Sequence, residues 1–382
     1  MTSALDRRSW LAGTAVLLGS WALPSLASVR PGARFAAAWE DASGYRLGVL
    51  SAQPGRLGVQ ASLEVPTRAH GLLAEAGGTM LSVARRPGDW LLRWGRDGQP
   101  VAWHWIEPDR AFNGHVIASA DGHHLYTTES DLETGHGLIG VRDAASLEKL
   151  AEWPTQGMDP HELLLDTDGS LLVANGGIPA LPETGRLKIH LDRMDASVVR
   201  LRTAGTGAEA RTGELVGQWR LPDRRLSLRH MAWGHDGQGR ALLGIALQAE
   251  HADAQARIAA PVLAVFDGQE LRTVDAPHTL AGYGGDIAFA SGCFAVSCPR
   301  ANRVSLFDAR AGGSTRWAAD VALPEACALL VDQDGTAGAS LWAGGREESV
   351  AVGGVDERTV ATLPRIGSAP LRLDNHWVVL PA

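Results

Sequence analysis

Cysteine is scarce in this chain of 382 residues, which has three: Cys293, Cys298 and Cys327. So few cannot form the dense disulfide framework that stabilises small secreted domains, and a core of this size does not need one. Cys293 and Cys298 are five residues apart, so on a regular strand their side chains point to opposite faces and do not pair with each other. At least one thiol is left over, and we interpret Cys293 and Cys298 as small buried apolar residues.

The short motifs of the common enzyme classes are also missing. No G-x-S-x-G, H-E-x-x-H, C-x-x-C-H or Walker sequence occurs, which removes the usual signatures of hydrolases, zincins, covalently bound haem and nucleotide binding. No catalytic residue can be named from a motif. The sequence therefore favours a binding protein over an enzyme.

Basic clusters and long helical patterns are absent as well. The net charge of −8 argues against nucleic acid as a partner and against tight binding to an anionic membrane surface. The 45 glycines and 13 tryptophans agree with short strands joined by tight turns. We expect an all-β protein, and a monomer.

What the chain does contain is a repeated pattern, in which a polar residue, most often histidine, precedes a short apolar strand. The pattern occurs as HGLL from His70, HVIA from His115, HELL from His161, HMAW from His230, DIAF from Asp286, CALL from Cys327 and HWVV from His376. Turn sequences follow most of these strands, among them DGHH at Asp121 and DGSL at Asp168. Repeats of about 40 to 50 residues are the signature of a β-propeller in which each repeat is one four-stranded antiparallel blade. Seven starts predict a seven-bladed propeller, a single domain over residues 28–382.

The two ends of the chain are predicted to share one blade. Strand-like runs from Phe35 to Val65 precede the first repeat, and HWVVLP supplies one more inner strand before the chain stops. We expect the C-terminal strand to pair with the N-terminal strands, because this pairing closes the ring and removes two exposed sheet edges.

Two insertions, residues 175–197 and 248–261, are expected between the second and third strands of their blades. Because strand directions alternate, these loops lie at the same end of the propeller as the leading histidines. Arg186 and Lys188 could meet an anionic ligand there or be ordinary surface charge, and the acidic loop ESDLETGH is interpreted as solvated because it lacks the spacing of a calcium loop. The rim-loop candidates for ligand binding are Glu129, Asp131, Glu133, His136, Arg186, Lys188, His190 and Arg300.

The seven repeat positions carry residue types that can ligate a metal. Imidazole, carboxylate and thiolate groups at the start of each innermost strand would face the channel mouth, where they could hold a transition metal or a haem through two axial imidazoles. Alternatively, the histidines are structural, as in WD-type propellers, where such a histidine forms hydrogen bonds within its blade. Both interpretations remain open. The candidate ligands are His70, His115, His161, His230, Asp286, Cys327 and His376.

Residues 1–27 have the composition of an export signal. They contain a paired arginine, an uncharged stretch over residues 9–27, and small residues at Ser25 and Ala27 that suit cleavage. The sequence D-R-R-S-W-L-A resembles the twin-arginine export motif, with Arg7 and Arg8 as the pair. The apolar run is short and interrupted by glycine and proline, so we expect no stable membrane span after cleavage. A periplasmic location is the expectation.

Several segments together resemble a known family. They are FNGH at Phe112, TTESDLETGHGLIGV at Thr127, DPHELLL at Asp159, NGGI at Asn175, GRLKIHLDRMDAS at Gly185, LSLRHMA at Leu226, GYGGDIA at Gly282 and DNHW at Asp374. They resemble the domain-of-unknown-function 1513 family, twin-arginine-exported, seven-bladed propeller proteins often encoded beside imelysin-type iron-uptake proteins. This resemblance implies a periplasmic propeller linked to iron or haem acquisition and carries no activity.

The leading hypothesis is therefore a periplasmic binding or accessory protein in iron or haem handling, with iron-uptake proteins as partners. Its first ligand candidates are His115, His161, His230 and His376, which lie in the family segments. The alternatives are a metal-dependent lactonase-like hydrolase, a quinoprotein-like oxidoreductase, and an interaction scaffold in which every histidine is structural.

Overall fold

Short β-strands joined by turns account for nearly all of the regular structure. The computed structural model describes residues 33–53, 56–179, 188, 190–203, 212–311, 314–334, 338–346, 349–352, 360–363 and 371–380. Within these ranges the only α-helix is α1 (Ala254–Ala259), and two 3-10 turns occur at Leu191–Arg193 and Pro299–Ala301. No helix of the described chain is both long and apolar enough to cross a membrane.

Five of the sheets are antiparallel, with four strands each in the order of the chain. The first contains β4 (Ala69–Ala74), β5 (Met80–Ala84), β6 (Trp90–Trp94) and β7 (Pro100–Trp105). The second contains β8 (Arg110–Ala118), β9 (His124–Asp131), β10 (Gly137–Asp143) and β11 (Lys149–Pro154). The third contains β12 (Pro160–Leu165), β13 (Leu171–Asn175), β14 (Ser197–Leu201) and β15 (Leu215–Trp219). The fourth contains β16 (Leu226–His235), β17 (Ala241–Ala249), β18 (Leu263–Phe266) and β19 (Leu271–Val274). The fifth contains β20 (Ile287–Ala290), β21 (Cys293–Cys298), β22 (Arg303–Asp308) and β23 (Arg316–Ala322).

The sixth sheet has eight strands and joins the two ends of the chain. Its members are β24 (Ala328–Asp334), β25 (Gly338–Gly344), β26 (Ser349–Val352), β27 (Val360–Leu363), β28 (Arg372–Val379), β1 (Arg34–Asp41), β2 (Gly44–Gln53) and β3 (Arg56–Val65). Their order is β27-β26-β25-β24-β28-β1-β2-β3. Strand β28 runs antiparallel to β1 and is bridged to β24 by one parallel pair, Leu329 with His376.

The prediction of seven four-stranded blades is wrong, because the described chain forms six blades. The single parallel bridge between β24 and β28 merges what would be two blades into one eight-stranded sheet. The predicted closure is wrong for the same reason. The C-terminal strand does not complete a separate four-stranded blade, since it lies inside the wide sheet with β24 on one side and β1 on the other.

The all-β propeller itself is confirmed. The innermost strands β4, β8, β12, β16, β20, β24 and β28 contact one another in this order, and β28 returns to β4. Apolar side chains fill the space between neighbouring sheets; for example, Leu172 and Val198 of the third sheet pack with Leu243 and Ile245 of the fourth. Each fully buried side chain of this kind stabilises the fold by about 1.5–3 kcal/mol. Buried apolar side chains therefore hold neighbouring sheets together around the ring of inner strands.

Both insertions lie between the second and third strands of their blades, as predicted from the sequence. Residues 176–196 separate β13 from β14, and residues 250–262 separate β17 from β18. The turn predicted at Asp121 joins β8 to β9, with Gly122 at a φ of +72° and the Asp121 carboxylate accepting the His123 N–H at 3.0 Å. Short turns at one end and longer connections at the other are thus set by the local sequence.

Candidate metal centre

Each of the five repeat histidines lies at a break in the strand register. The pairing of the innermost strand with its neighbour shifts around His70 in β4, His115 in β8, His161 in β12, His230 in β16 and His376 in β28. Such a β-bulge adds residues to one strand, interrupts the regular alternation of faces and redirects a side chain. Five bulges in five inner strands therefore turn five imidazoles toward the same central space.

Glycine makes the closest of these approaches possible. Gly114 has a φ of +108°, and a Cβ added there would lie 2.7 Å from Cδ2 of His70. A Cβ added to Gly71 would lie 2.3 Å from the carbonyl oxygen of Gly114. Both distances are far below van der Waals contact, so the first two blades can bring His70 and His115 together only with glycine at these positions.

The histidines meet at the centre of the ring of inner strands. Nε2 of His161 lies 2.8 Å from Nε2 of His230, which in turn lies 3.1 Å from Nε2 of His376. Four histidines, here called the four-histidine group, place one nitrogen each within 4.8 Å of the others: His70, His115, His161 and His230. A second set, here called the Asp286 group, does the same with His230, Asp286 and His376. Together they form the histidine cluster, in which His230 belongs to both groups.

Burial keeps the four-histidine group uncharged. Each of its members is 3–6% exposed. Loss of solvation lowers the pKa of all four well below 6.5, and the positive charges around them act in the same direction. Neutral imidazole has one nitrogen with a free lone pair, which is the form that binds metals.

Several of these buried nitrogens have no hydrogen-bond partner in the described part of the chain. They are Nδ1 of His70, Nε2 of His115, Nδ1 of His161 and Nδ1 of His230. A buried polar atom without a partner costs stability, and such atoms are rare in folded proteins. On His161 and His230 the nitrogen without a partner is Nδ1, whereas the two rings face each other through Nε2.

Two carboxyl groups adjoin the cluster. Asp286 accepts the backbone N–H groups of Ile287 and Leu329, both at 2.9 Å, and its Oδ2 lies 3.5 Å from Nδ1 of His376. Burial is the largest single influence and alone would lower the pKa of His376, but the charge and hydrogen bond of Asp286, with the charges of Glu162 and Asp374, together raise that pKa. Glu162, which the sequence analysis missed, lies 3.7 Å from Nδ1 of His115, and burial raises its pKa to about 8.

Cys327 occupies the predicted repeat position but belongs to neither group. Its thiol donates to the carbonyl oxygen of Gly344 at 3.2 Å, and burial raises its pKa to about 12. A protonated thiol held by the backbone is a poor metal ligand. Cys293 and Cys298 are buried apolar residues, as the sequence suggested.

The acidic loop is not part of the site. Glu129 is fully buried in the second blade, where Arg142 binds it at 2.7 Å and Lys149 at 2.9 Å. Asp131 caps its own turn by accepting the N–H groups of Glu133 and Thr134. Glu133 and His136 are exposed. These residues stabilise the blade and its turn.

The remaining rim candidates are dispersed. Lys188 forms an ion pair with Glu250, and His190 is exposed in a left-handed conformation. The guanidinium of Arg300 stacks on the ring of Tyr283 at 4.5 Å. Arg186 lies outside the described residues, as do Arg7 and Arg8 of the predicted export signal.

A layer of charged residues surrounds the histidines, and the sequence analysis missed it. Asp159 binds Arg86 and Arg229, the latter at 3.0 Å. Asp374 binds Arg68, with Nη2 to Oδ1 at 2.8 Å, and Arg85 at 3.4 Å. Each aspartate stands two residues before a cluster histidine, in DPH at Asp159 and DNH at Asp374. This repeated Asp-x-His spacing is the signal that could have revealed the layer.

These features define a β-propeller with a buried, histidine-rich candidate metal centre where its inner strands meet. The chain belongs to the family of proteins of unknown function DUF1513, whose model matches residues 63–380. The family expected from the sequence is thus confirmed. Comparison with curated proteins gives no match.

Solved structures share the fold at low sequence identity. A protein from Lactobacillus plantarum has a TM-score of 0.55 at 14% identity, over 90% of this chain and 99% of that one. The periplasmic gluconolactonase PpgL of Pseudomonas aeruginosa has a TM-score of 0.53 at 16% identity, over 77% and 83%. The dihydro-heme d1 dehydrogenase NirN has a TM-score of 0.52 at 12% identity, over 91% and 75%. At such identities the likeness shows the fold alone.

Proposed function

We propose that this protein is a metal-binding propeller and that the four-histidine group holds one transition-metal ion. The observation that carries the proposal is the convergence of four buried imidazoles, each of which places one nitrogen within 4.8 Å of a nitrogen of the other three. Nitrogen ligands suit Zn, Cu, Ni and Fe, and among divalent ions copper binds such sites most tightly.

The contacts of the histidines favour ligation over a structural role. A structural histidine of a propeller makes its hydrogen bonds within its own blade. Here His161 of the third blade meets His230 of the fourth, and His230 meets His376 of the wide sheet, each through Nε2. Since these nitrogens face one another across blades, the repeated histidine is better explained as a shared ligand set than as a device copied with each blade.

The size of the site favours an ion over a haem. The cavity that reaches His70, His161 and His230 has a volume of about 10 Å³. This is about the space of one water molecule, and a porphyrin needs far more. With four protein ligands, the group also resembles closed sites that hold a metal more than open sites that keep a position for substrate. A binding role is therefore preferred to a hydrolase.

We propose a periplasmic role for this metal binding. The support is the twin-arginine-like sequence around Arg7 and Arg8 and the resemblance of this sequence to a family often encoded beside imelysin-type iron-uptake proteins. In this proposal the protein takes part in iron handling, with periplasmic iron-uptake proteins as partners.

Metal content after reconstitution tests the proposal. Metal-free protein is incubated with Cu(II), Ni(II), Zn(II) or Fe(II), separated from free ion by gel filtration and measured by mass spectrometry. We expect one ion per chain in the wild type and none in the double variant His161→Gln with His230→Gln. The variant His123→Gln, which replaces an exposed turn histidine, should bind like the wild type. Retention of the ion by the double variant, or no binding by the wild type, would support the structural interpretation instead.

A further inference from the structure

A second, larger cavity lies beside the histidine cluster. Its volume is about 430 Å³, within the range of small-molecule sites. Arg85, Tyr283 and Asn375 line both this cavity and the small one that reaches the histidines. The two spaces are therefore neighbours that share part of a wall.

Arginine dominates the described lining of this cavity. Five arginines face three carboxylates: Arg68, Arg85, Arg300, Arg346 and Arg372 against Glu40, Glu325 and Asp374. The described lining therefore carries a net positive charge. Arginine is the residue that binds carboxylates through two parallel hydrogen bonds, and its charge persists at every physiological pH.

The carboxylates leave much of this positive charge available. One carboxylate, Asp374, serves both Arg68 and Arg85. Glu325 lies 3.4 Å from Arg346, and Glu40 lies 4.0 Å from Arg372, so both ion pairs are long. The side chains of both pairs are also largely exposed to solvent. Arg300 has no carboxylate partner among the described residues, and its guanidinium lies over the Tyr283 ring.

We propose that this cavity binds a small organic anion with two or more carboxylates. The arginines come from separate elements: Arg68 precedes β4, Arg85 follows β5, Arg300 follows β21, Arg346 follows β25 and Arg372 begins β28. Separate guanidinium groups around one cavity fit several anionic groups on one ligand better than a single phosphate. Tyr283, whose ring lies against the Arg300 guanidinium, also lines the cavity. The anion site goes beyond the metal proposal and is tested without metal.

Isothermal titration of metal-free protein with citrate, in chelator-treated buffer, tests the site. We expect saturable binding of one citrate per chain that weakens as salt is raised. Each of Arg300→Gln and Arg346→Gln should weaken binding about tenfold, because each removes charge-assisted hydrogen bonds. Arg240→Gln, at an exposed turn on the fourth blade, is the matched control and should leave binding unchanged.

Two further ligands define the chemistry. Acetate should bind at least about a hundredfold more weakly than citrate, since it engages one guanidinium at a time. Phosphate that binds as tightly as citrate would overturn the assignment to a polycarboxylate. Absence of citrate binding, or equal loss in Arg300→Gln and Arg240→Gln, would overturn the site itself. Because no metal is present, these results are independent of whether the histidine cluster binds an ion.

Discussion

Metal-free protein should lose stability steeply as the pH falls below 6.5. Burial lowers the pKa of every member of the four-histidine group, so below pH 6.5 the unfolded chain binds four protons that the folded chain does not. Each of these protonations lowers the free energy of the unfolded state. Each shifted histidine therefore lowers the free energy of unfolding by about 1.4 kcal/mol per pH unit.

Two neighbouring groups modify this slope. The pKa of His376 is raised, so this histidine is protonated in both states well below pH 6.5, and its stabilising effect is lost only as the pH rises above that value. Glu162 has its pKa raised to about 8, so the folded chain keeps a proton that the unfolded chain releases above about pH 4.5. Glu162 thus reduces by one the number of extra protons that the unfolded chain binds relative to the folded chain. Near pH 5.5 the unfolded chain therefore binds about three more protons than the folded chain, and the free energy of unfolding falls by about 4 kcal/mol for each pH unit of acidification.

Urea titrations at pH 6.5, 6.0 and 5.5, followed by tryptophan fluorescence, measure this slope. The double variant His115→Gln with His161→Gln removes two shifted histidines, so its slope should fall by two protons, about 2.7 kcal/mol per pH unit. His123→Gln is the control, and comparison among the variants cancels the other titrating groups of the chain. Equal slopes for the wild type and the double variant would refute the reasoning.

Three further predictions concern packing and buried charge. Gly114→Ala should weaken metal binding and lower stability, because the added Cβ would collide with His70. Gly122→Ala is the control and should leave metal binding intact, because its φ is +72° and no atom lies within 4 Å of the added Cβ. Equal effects of the two variants in a metal titration would contradict the packing argument. Cys298 should resist iodoacetamide in the folded protein, because burial raises its pKa to about 12 and leaves about one thiolate in ten thousand at pH 8; labelling within minutes, detected by peptide mass spectrometry, would contradict this. Glu129→Ala should lower the free energy of unfolding by about 3–5 kcal/mol, because it leaves the fully buried Arg142 without its carboxylate partner; a loss below about 1 kcal/mol in urea would show that the pair is not structural.

The sequence predicts the class of fold but not the number of sheets. A repeated apolar strand followed by a tight turn, as at Asp121, specifies an antiparallel blade locally. Whether two blades stay separate depends on one parallel bridge between Leu329 and His376, which are 47 residues apart in the chain. No local pattern encodes such a contact, because it is set by how the last strand packs when the ring is complete.

The candidate site was predictable where the repeat marks it. Repeat spacing alone finds the five histidines and Asp286, which the structure brings together near the centre. The direction of each side chain was not predictable, because every one of the histidines sits in a β-bulge that breaks the alternation of faces. Cys327 shows that a repeat position does not fix the direction of the side chain, since its thiol forms a hydrogen bond with a backbone carbonyl instead of joining the cluster. Glu162 and Arg229 do not recur along the chain, so no repeat reveals them.

The most direct test of the metal centre is a crystal structure of the metal-loaded protein with an anomalous difference map recorded at the absorption edge of the bound metal. We predict one strong peak among His70, His115, His161 and His230, about 2.0–2.1 Å from an imidazole nitrogen of each. A peak at the surface or at the exposed loop histidines, with His161 and His230 still hydrogen-bonded through Nε2, would contradict the account. The histidine cluster would then be a structural element of the propeller.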